Sequence, residues 1–205
     1  MPVAPWAQTS QAEHPLPAGV RNPTQRIAEL EKLKKSSANQ PVEDQERLAT
    51  ALGHELAAEQ DPLVRAAILR VMAQLRTETA AAMLRQGLKD ADKDVRVLCC
   101  ELWSERGGPE AARLLSEAVA SDTHVDVRLA ATRGLGRLND PQAIEGLTLA
   151  LDDPDPAMQR RAVESLRNVT DADYGPDVVA WRQYLQGGTP ERQAPSIAER
   201  FRDIF

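Results

Sequence analysis

The sequence predicts an all-α protein, an α-solenoid in which helical hairpins stack into a curved superhelical array. Three observations carry this. A pattern of about thirty-one residues recurs four times. Within each copy the apolar residues fall about four apart, in two sets. The stretch that bears the pattern is built from Ala, Leu and Val and is almost free of aromatic side chains. Of the seven aromatic residues (Trp6, Trp103, Tyr174, Trp181, Tyr184, Phe201 and Phe205), only Trp103 lies between residues 7 and 173. Ala and Leu lead the helix scale, whereas strands favour β-branched and aromatic residues, so this composition suits closely packed helices.

Taken in chain order, residues 1–23 contain five prolines and no periodicity, so 1–22 reads as a disordered tail. Asn22 and Pro23 then start a helix with Ile27, Leu30 and Leu33 on one side and Lys34 and Lys35 at its end, where cations suit the dipole. It is expected to cap the stack. A helix from Pro41 to about Ala58, carrying Leu48, Leu52 and Leu56, completes a first hairpin with the helix opening at Asp61.

The repeat itself is DPLVR at 61–65, DKDVR at 92–96, HVDVR at 124–128 and DPAMQ at 155–159. The last residues, Arg65, Arg96, Arg128 and Gln159, are 31, 32 and 31 apart. Downstream columns align as Val64, Val95, Val127, Met158; then Ile68, Cys99, Ala131, Ala162; then Met72, Trp103, Leu135, Leu166. Between these helices a second set reads Ala80, Ala111, Ala143; Leu84, Leu115, Leu147; and Leu88, Val119, Leu151. The small column Gly87, Ala118, Ala150 suits close helix approach. Asp61, Asp92 and Asp155 stand where an N-cap is wanted, with His124 in the same column. Pro62 and Pro156 take the first helical position, and Pro109 and Pro141 are expected to open the other helices similarly. One hairpin cannot bury its own apolar face, but a stack can. The segment YGPDVVAWRQYLQGG predicts a closing helix, Asp177 to Gln186, with Val178, Trp181 and Leu185 over the last repeat.

Residues 41–170 resemble the HEAT-repeat family, particularly the short bacterial form also found in phycobilin lyases, whose second helix opens with Asp-x-x-Val-Arg. The fourth copy departs from that motif at Met158 and Gln159 and so reads as an end repeat. The resemblance implies that the second helices line a concave surface. Residues five and nine positions after the motif arginine point away from the core columns. They are Arg70, Glu101, Arg133 and Glu164 in one row and Gln74, Glu105, Arg137 and Asn168 in the other. Arg70, Gln74, Glu101, Glu105, Arg133, Arg137 and Glu164 are the candidate partner-binding set, an alternating-charge groove. The competing expectation is a solvated face whose charges pair with each other. Arg65, Arg96 and Arg128 form a ladder at the core edge and are assigned to structure, bonding neighbouring Asp side chains or helix-end carbonyls.

No residue set points to catalysis, a cofactor or a metal. Deoxyhypusine hydroxylase, a HEAT-type protein, holds a di-iron centre through several His-Glu pairs, but here His54-Glu55 is the single pair and the chain has three histidines. Cys99 and Cys100 are adjacent, a poor geometry for a disulfide, and with no third thiol they read as packing residues. Phosphate-loop, dinucleotide and nucleophile-elbow patterns are absent. Gly107-Gly108 and Gly187-Gly188 fit helix ends.

The net charge is -6, and residues 41–170 hold 22 acids against 16 bases. That acidity disfavours nucleic acid, which calls for a basic stripe. The first twenty residues lack a basic n-region and a continuous apolar core, and no stretch is apolar enough to span a membrane. A cytoplasmic protein is expected, although a leader cleaved ahead of Met1 would leave no trace in this sequence.

The leading functional expectation is a noncatalytic scaffold or adaptor that binds a segment of a protein partner, with partner and oligomeric state unspecified. A phycobilin-lyase-like accessory enzyme or chaperone-like subunit is the alternative, and a nucleic-acid-handling protein resembling HEAT-like DNA glycosylases is a further one. Residues 187–195 read as a flexible linker and 196–205, SIAERFRDIF, as a short amphipathic helix. Ser196 and Glu199 form a capping box, and Ile197, Phe201, Ile204 and Phe205 fall on one stripe. Alone it would be marginal in water, so the stripe is expected either to dock in cis or to bind a partner.

Overall fold

The computed structural model describes residues 22–138 and 140–190, and among them ten helices run in order with no strand. They are α1 (Pro23–Ser37), α2 (Val42–Ala58), α3 (Pro62–Met72), α4 (Glu78–Gly87), α5 (Lys93–Arg106), α6 (Gly108–Ser121), α7 (Val125–Leu135), α8 (Ala143–Leu151), α9 (Pro156–Val169) and α10 (Val178–Leu185). Two layers result. The motif-bearing helices α3, α5, α7 and α9 pack in sequence, with α1 at their head. The companion layer holds α2, α4, α6, α8 and α10, and each of its helices packs against the motif helices beside it in the chain. α4 and α6 are joined across the companion layer by an ion pair, Arg85 Nε to Glu110 at 2.6 Å.

The helix starts follow the sequence closely. Asp61, Asp92 and Asp155 accept from the backbone N–H groups of Leu63, Asp94 and Ala157, each at 2.8 Å, and Pro62 and Pro156 open α3 and α9. These bonds satisfy donors that a helix start otherwise leaves orphaned. His124 occupies the cap position of α7 without a side-chain bond. Two proline expectations need correction. Pro109 is the second residue of α6, after Gly108, and Pro141 lies in a turn ahead of α8, which begins at Ala143. The reason is local. Asp140 Oδ1 takes the N–H of Gln142 at 2.9 Å and completes a turn before the helix forms. Gly107 alone connects α5 to α6, and its φ of +71° is a left-handed value open to glycine at little cost.

All twelve motif-helix core positions are buried, from Val64, Ile68 and Met72 through Met158, Ala162 and Leu166. The companion columns are buried too, except Leu88, which is half-buried at the C-cap of α4. In the small column, Gly87 and Ala150 are buried and Ala118 half-buried. The core joins α1 through α10 in one continuous cluster. Trp103 takes the place filled by Met72, Leu135 and Leu166 in the other repeats. Its ring is covered by the Arg106 guanidinium, 5.8 Å from the centroid, and its Nε1 is buried without a hydrogen-bond partner among the described residues.

The two ends are finished differently. At the head, α1 is a motif helix in its own right: Asn22-Pro23-Thr24-Gln25-Arg26 repeats the cap, proline and arginine of Asp61-Pro62-Leu63-Val64-Arg65. Asn22 caps by accepting from Thr24 N at 2.9 Å. This copy escapes a search at fixed spacing because α2 is 17 residues long where α4 is 10, which places Arg26 39 residues before Arg65. At the tail, Trp181 is fully buried and donates from Nε1 to Gly175 O at 3.1 Å. Tyr174 meets it edge-on with centroids 5.4 Å apart, a favourable aromatic geometry.

The far side of α9 is polar. Ser104 Oγ donates to Gly134 O of the following motif helix at 3.2 Å, so its column, Ala73, Ser104 and Gly136, faces the next repeat. In α9 that position is Arg167, exposed and paired with Asp173. A terminal repeat with a polar outer face closes the array. The expected tail at 1–22 falls outside the described residues except for Asn22, and so do the latter part of the 187–195 linker and the whole 196–205 helix.

Candidate interaction surface

Two sets of charged side chains project from the motif helices, and they differ in whether the molecule itself uses them. The first is the ladder. Arg65 donates through Nε and Nη2 to the two carboxylate oxygens of Asp90 at 2.8 and 2.6 Å. Arg96 does the same to Asp122 at 2.7 and 3.1 Å, and Arg128 Nε reaches Asp153 at 2.9 Å. Each arginine also donates to a carbonyl of the loop before its own helix: Gln60, Asp90 and Asp122, at 2.8, 2.8 and 3.2 Å. The acids return the bond by accepting from a backbone N–H two residues on, in Asp92, His124 and Asp155, each at 2.8 Å. Arg26 completes the ladder on Glu59. Gln159 keeps the carbonyl bond alone, from Nε2 to Asp153 O at 3.0 Å. Each repeat that carries a ladder arginine is thus tied to the loop that ends the next companion helix.

Burial works to raise the carboxyl groups of Asp90 and Asp122. The Arg65 and Arg96 guanidinium bonds, the backbone N–H bonds and the nearby positive charges outweigh it and hold both below the usual carboxylate range. For Glu59 burial is likewise outweighed, by the Asp61 N–H and by Arg26. These acids sit at loop positions that the sequence reading did not single out. Their signal was present: Glu59, Asp90, Asp122 and Asp153 each stand two residues before a cap.

The second set is the candidate partner-binding row. Arg70, Arg133, Glu164, Glu105 and Arg137 are exposed, and Glu101 and Gln74 are half-exposed. Glu101, Glu105 and Glu164 project from helix bodies, whereas Gln74 and Arg137 follow the C-caps of α3 and α7 in turns. Glu164 pairs with Arg161 one turn earlier at 2.7 Å. Among the described residues, the side chains of Arg70, Glu101, Glu105, Arg133 and Arg137 have no hydrogen bond or ion pair. Ile197, Phe201, Ile204 and Phe205 lie outside the described residues.

Two clefts of about 600 and 630 Å³ open on the companion layer, between α2 and α4 and between α6 and α8. His54 lines the first with Met83 and Lys89. No group of three or more His, Cys, Asp or Glu able to hold a metal occurs among the described residues. Cys99 and Cys100 are buried free thiols. Burial pushes both up, Cys100 to about 12, the unreactive end of the thiol range. No helix of the described residues is long and apolar enough to cross a membrane.

Stacked hairpins with one motif ladder per repeat define a repeat solenoid, and the comparisons name its family. A family model for HEAT repeats matches residues 49–132 and 114–183. The chain belongs to the HEAT-repeat family. No curated protein matches it. Among solved structures, a chain of the complex of CpcE and CpcF of phycocyanin lyase from Nostoc sp. PCC7120 is 20% identical, with 80% of this chain and 98% of that chain covered and a TM-score of 0.47.

Proposed function

We propose that the protein is a noncatalytic scaffold that holds a segment of a partner protein along the exposed row of α3, α5, α7 and α9, the concave face in this family. The observation that carries the reading is the contrast within these helices. Ladder arginines are satisfied by the fold, while Arg70, Glu101, Glu105, Arg133 and Arg137 have no partner among the described residues. Exposed charges of this kind steer encounter and select partners more than they stabilise a fold. In the same reading the stripe Ile197, Phe201, Ile204 and Phe205 forms a second, apolar contact with the partner, in the helix-in-groove manner.

The test is affinity capture with the full chain, the R133E/R137E variant and a companion-layer control, E117R/E145R. Polypeptides recovered by the parent and the control but lost from R133E/R137E support the row. Equal recovery by all three overturns it. Deleting residues 189–205 tests the apolar contact: lost capture at an unchanged melting temperature supports it, and a lower melting temperature with capture retained makes the segment a cap instead.

A further inference from the structure

Resting on the reading that the exposed row binds a partner segment, we propose that this segment is an acidic polypeptide and that it docks over α7 and α9 through Arg133, Arg137 and Arg160. The charges of the row are sorted along the array. On α5 the outward acids without an ion pair among the described residues are Glu101 and Glu105, while Asp94 shares Lys93 with Asp126 of α7; the neighbouring base, Arg106, is engaged by the Trp103 ring and by Leu75 O at 3.3 Å. On α7 the one outward acid, Asp126, pairs with Lys93 of α5 at 2.7 Å, which leaves Arg133 and Arg137 without an ion pair among the described residues. On α9, Arg161 pairs with Glu164 at 2.7 Å and Arg167 with Asp173 at 3.0 Å, while exposed Arg160 has no partner among the described residues. Among the described residues the motif layer thus presents unpaired positive charge over its last two helices and at Arg70 of α3, and unpaired negative charge at Glu101 and Glu105 of α5, in a chain whose net charge is -6.

Arg160 carries added weight because of its column. The equivalent positions are Ala66, Val97 and Leu129, all half-buried, so the fourth repeat replaces an apolar side chain with a cation at the point where the stack ends. The spacing suits carboxylates on a peptide. Side chains four apart on a helix lie about 5–6 Å from one another and neighbouring helices about 8–10 Å apart. Acids one turn apart on a partner helix therefore face Arg133 and Arg137 together, each able to take a two-point guanidinium bond. Charge complementarity also sets direction, with the acidic part of the segment over α7 and α9 and any basic flank over Glu101 and Glu105.

A nucleic acid fits this surface less well. A continuous phosphate chain would leave three arginines only to meet Glu101 and Glu105 on one side and the acids Glu164, Asp171 and Asp173 on the other. The row also lacks an aromatic platform for bases, since Trp103 is buried.

The test is a titration of the isotope-labelled full chain, followed by amide chemical shifts, with three probes. These are a Glu-rich peptide with carboxylates four residues apart, its Lys counterpart, and an oligouridylate. The expected result is shift changes confined to α7 and α9 with the Glu peptide at low salt. They should fade as the Debye length contracts to about 8 Å at physiological ionic strength. R133E/R137E should lower the affinity for the Glu peptide by roughly tenfold or more with the fold intact. Affinity unchanged by that reversal overturns the proposal. So does tighter binding of oligouridylate through the same arginines, which would make this a general polyanion site. If the Lys peptide binds at Glu101 and Glu105 and the Glu peptide is inert, the row remains an interaction surface and the acidic-segment proposal fails. If neither peptide perturbs the row, the proposed function fails with it.

Discussion

Two rows of side chains run down the same helices, five residues apart, one of arginine and one of alternating charge, and they share almost nothing else. Arg65, Arg96 and Arg128 lie at the edge of the core, with each head group committed to a carboxylate and a carbonyl. Arg70 and Arg133 are exposed, and their side chains have no bond among the described residues. The difference teaches that in a solenoid the helix column, not the residue type, decides what a charge does. A guanidinium aimed along the layer interface meets the end of the next hairpin once per repeat and fixes its placement. One aimed outward meets no acid among the described residues.

The largest effect should come from destroying the frame that separates the two rows. Leu135→Asp places a carboxylate at a fully buried position, and the cost, about 4 kcal/mol or more, should abolish the cooperative thermal melt of the array. Breaking one rung comes next. Arg96→Ala strands Asp122 at a site where the two side chains are only 11% and 10% exposed. A loss of roughly 2–4 kcal/mol is expected in urea unfolding. Gly136→Ala should cost about 1–3 kcal/mol, because a Cβ there stands 2.9 Å from the Cα of Ser165 in the next motif helix, and backbone cannot step aside cheaply.

Acid sharpens the comparison more gently. Asp90, Asp122 and Glu59 are held below their usual values in the folded chain. On acidification the unfolded chain therefore takes up protons first. The stability these acids contribute is present at neutral pH and is lost as the pH falls below about 4 toward their folded values. Circular-dichroism melts across that range should show the decline, and Arg96→Ala should remove Asp122's share of it. The smallest effect on stability belongs to the outward row: R133E/R137E should move unfolding by less than about 0.5 kcal/mol.

Much of this frame was legible in the sequence because it is written in short-range patterns. The Asp caps, the Val-Arg motif and the four-residue columns each follow from one helix turn, and a near-constant period superimposes them. Three features were not legible, each for a physical reason. The motif in α1 is hidden by the length of α2, which alters the spacing without altering the packing. The aspartates of the ladder lie in loops 25 or 26 residues after their arginines, and Glu59 lies 33 after Arg26, separations that only the stacked hairpins close. The start of α8 was misplaced because Asp140 completes a turn that the proline alone does not reveal. For the outward row position was legible but pairing was not, since whether Arg133 finds a carboxylate depends on the reach of side chains from neighbouring helices.

The division of labour between the two rows is tested most directly by photo-crosslinking from single sites. A crosslinking amino acid is placed at 137, within the outward row, or at 149, where Leu149 is exposed in the companion-layer cleft. The chain is then irradiated with the polypeptides it captures. The expected result is crosslinked partner from position 137 and none from 149, with both variants melting like the parent. Crosslinks from 149 with none from 137 would contradict it and move the interaction surface to the other layer.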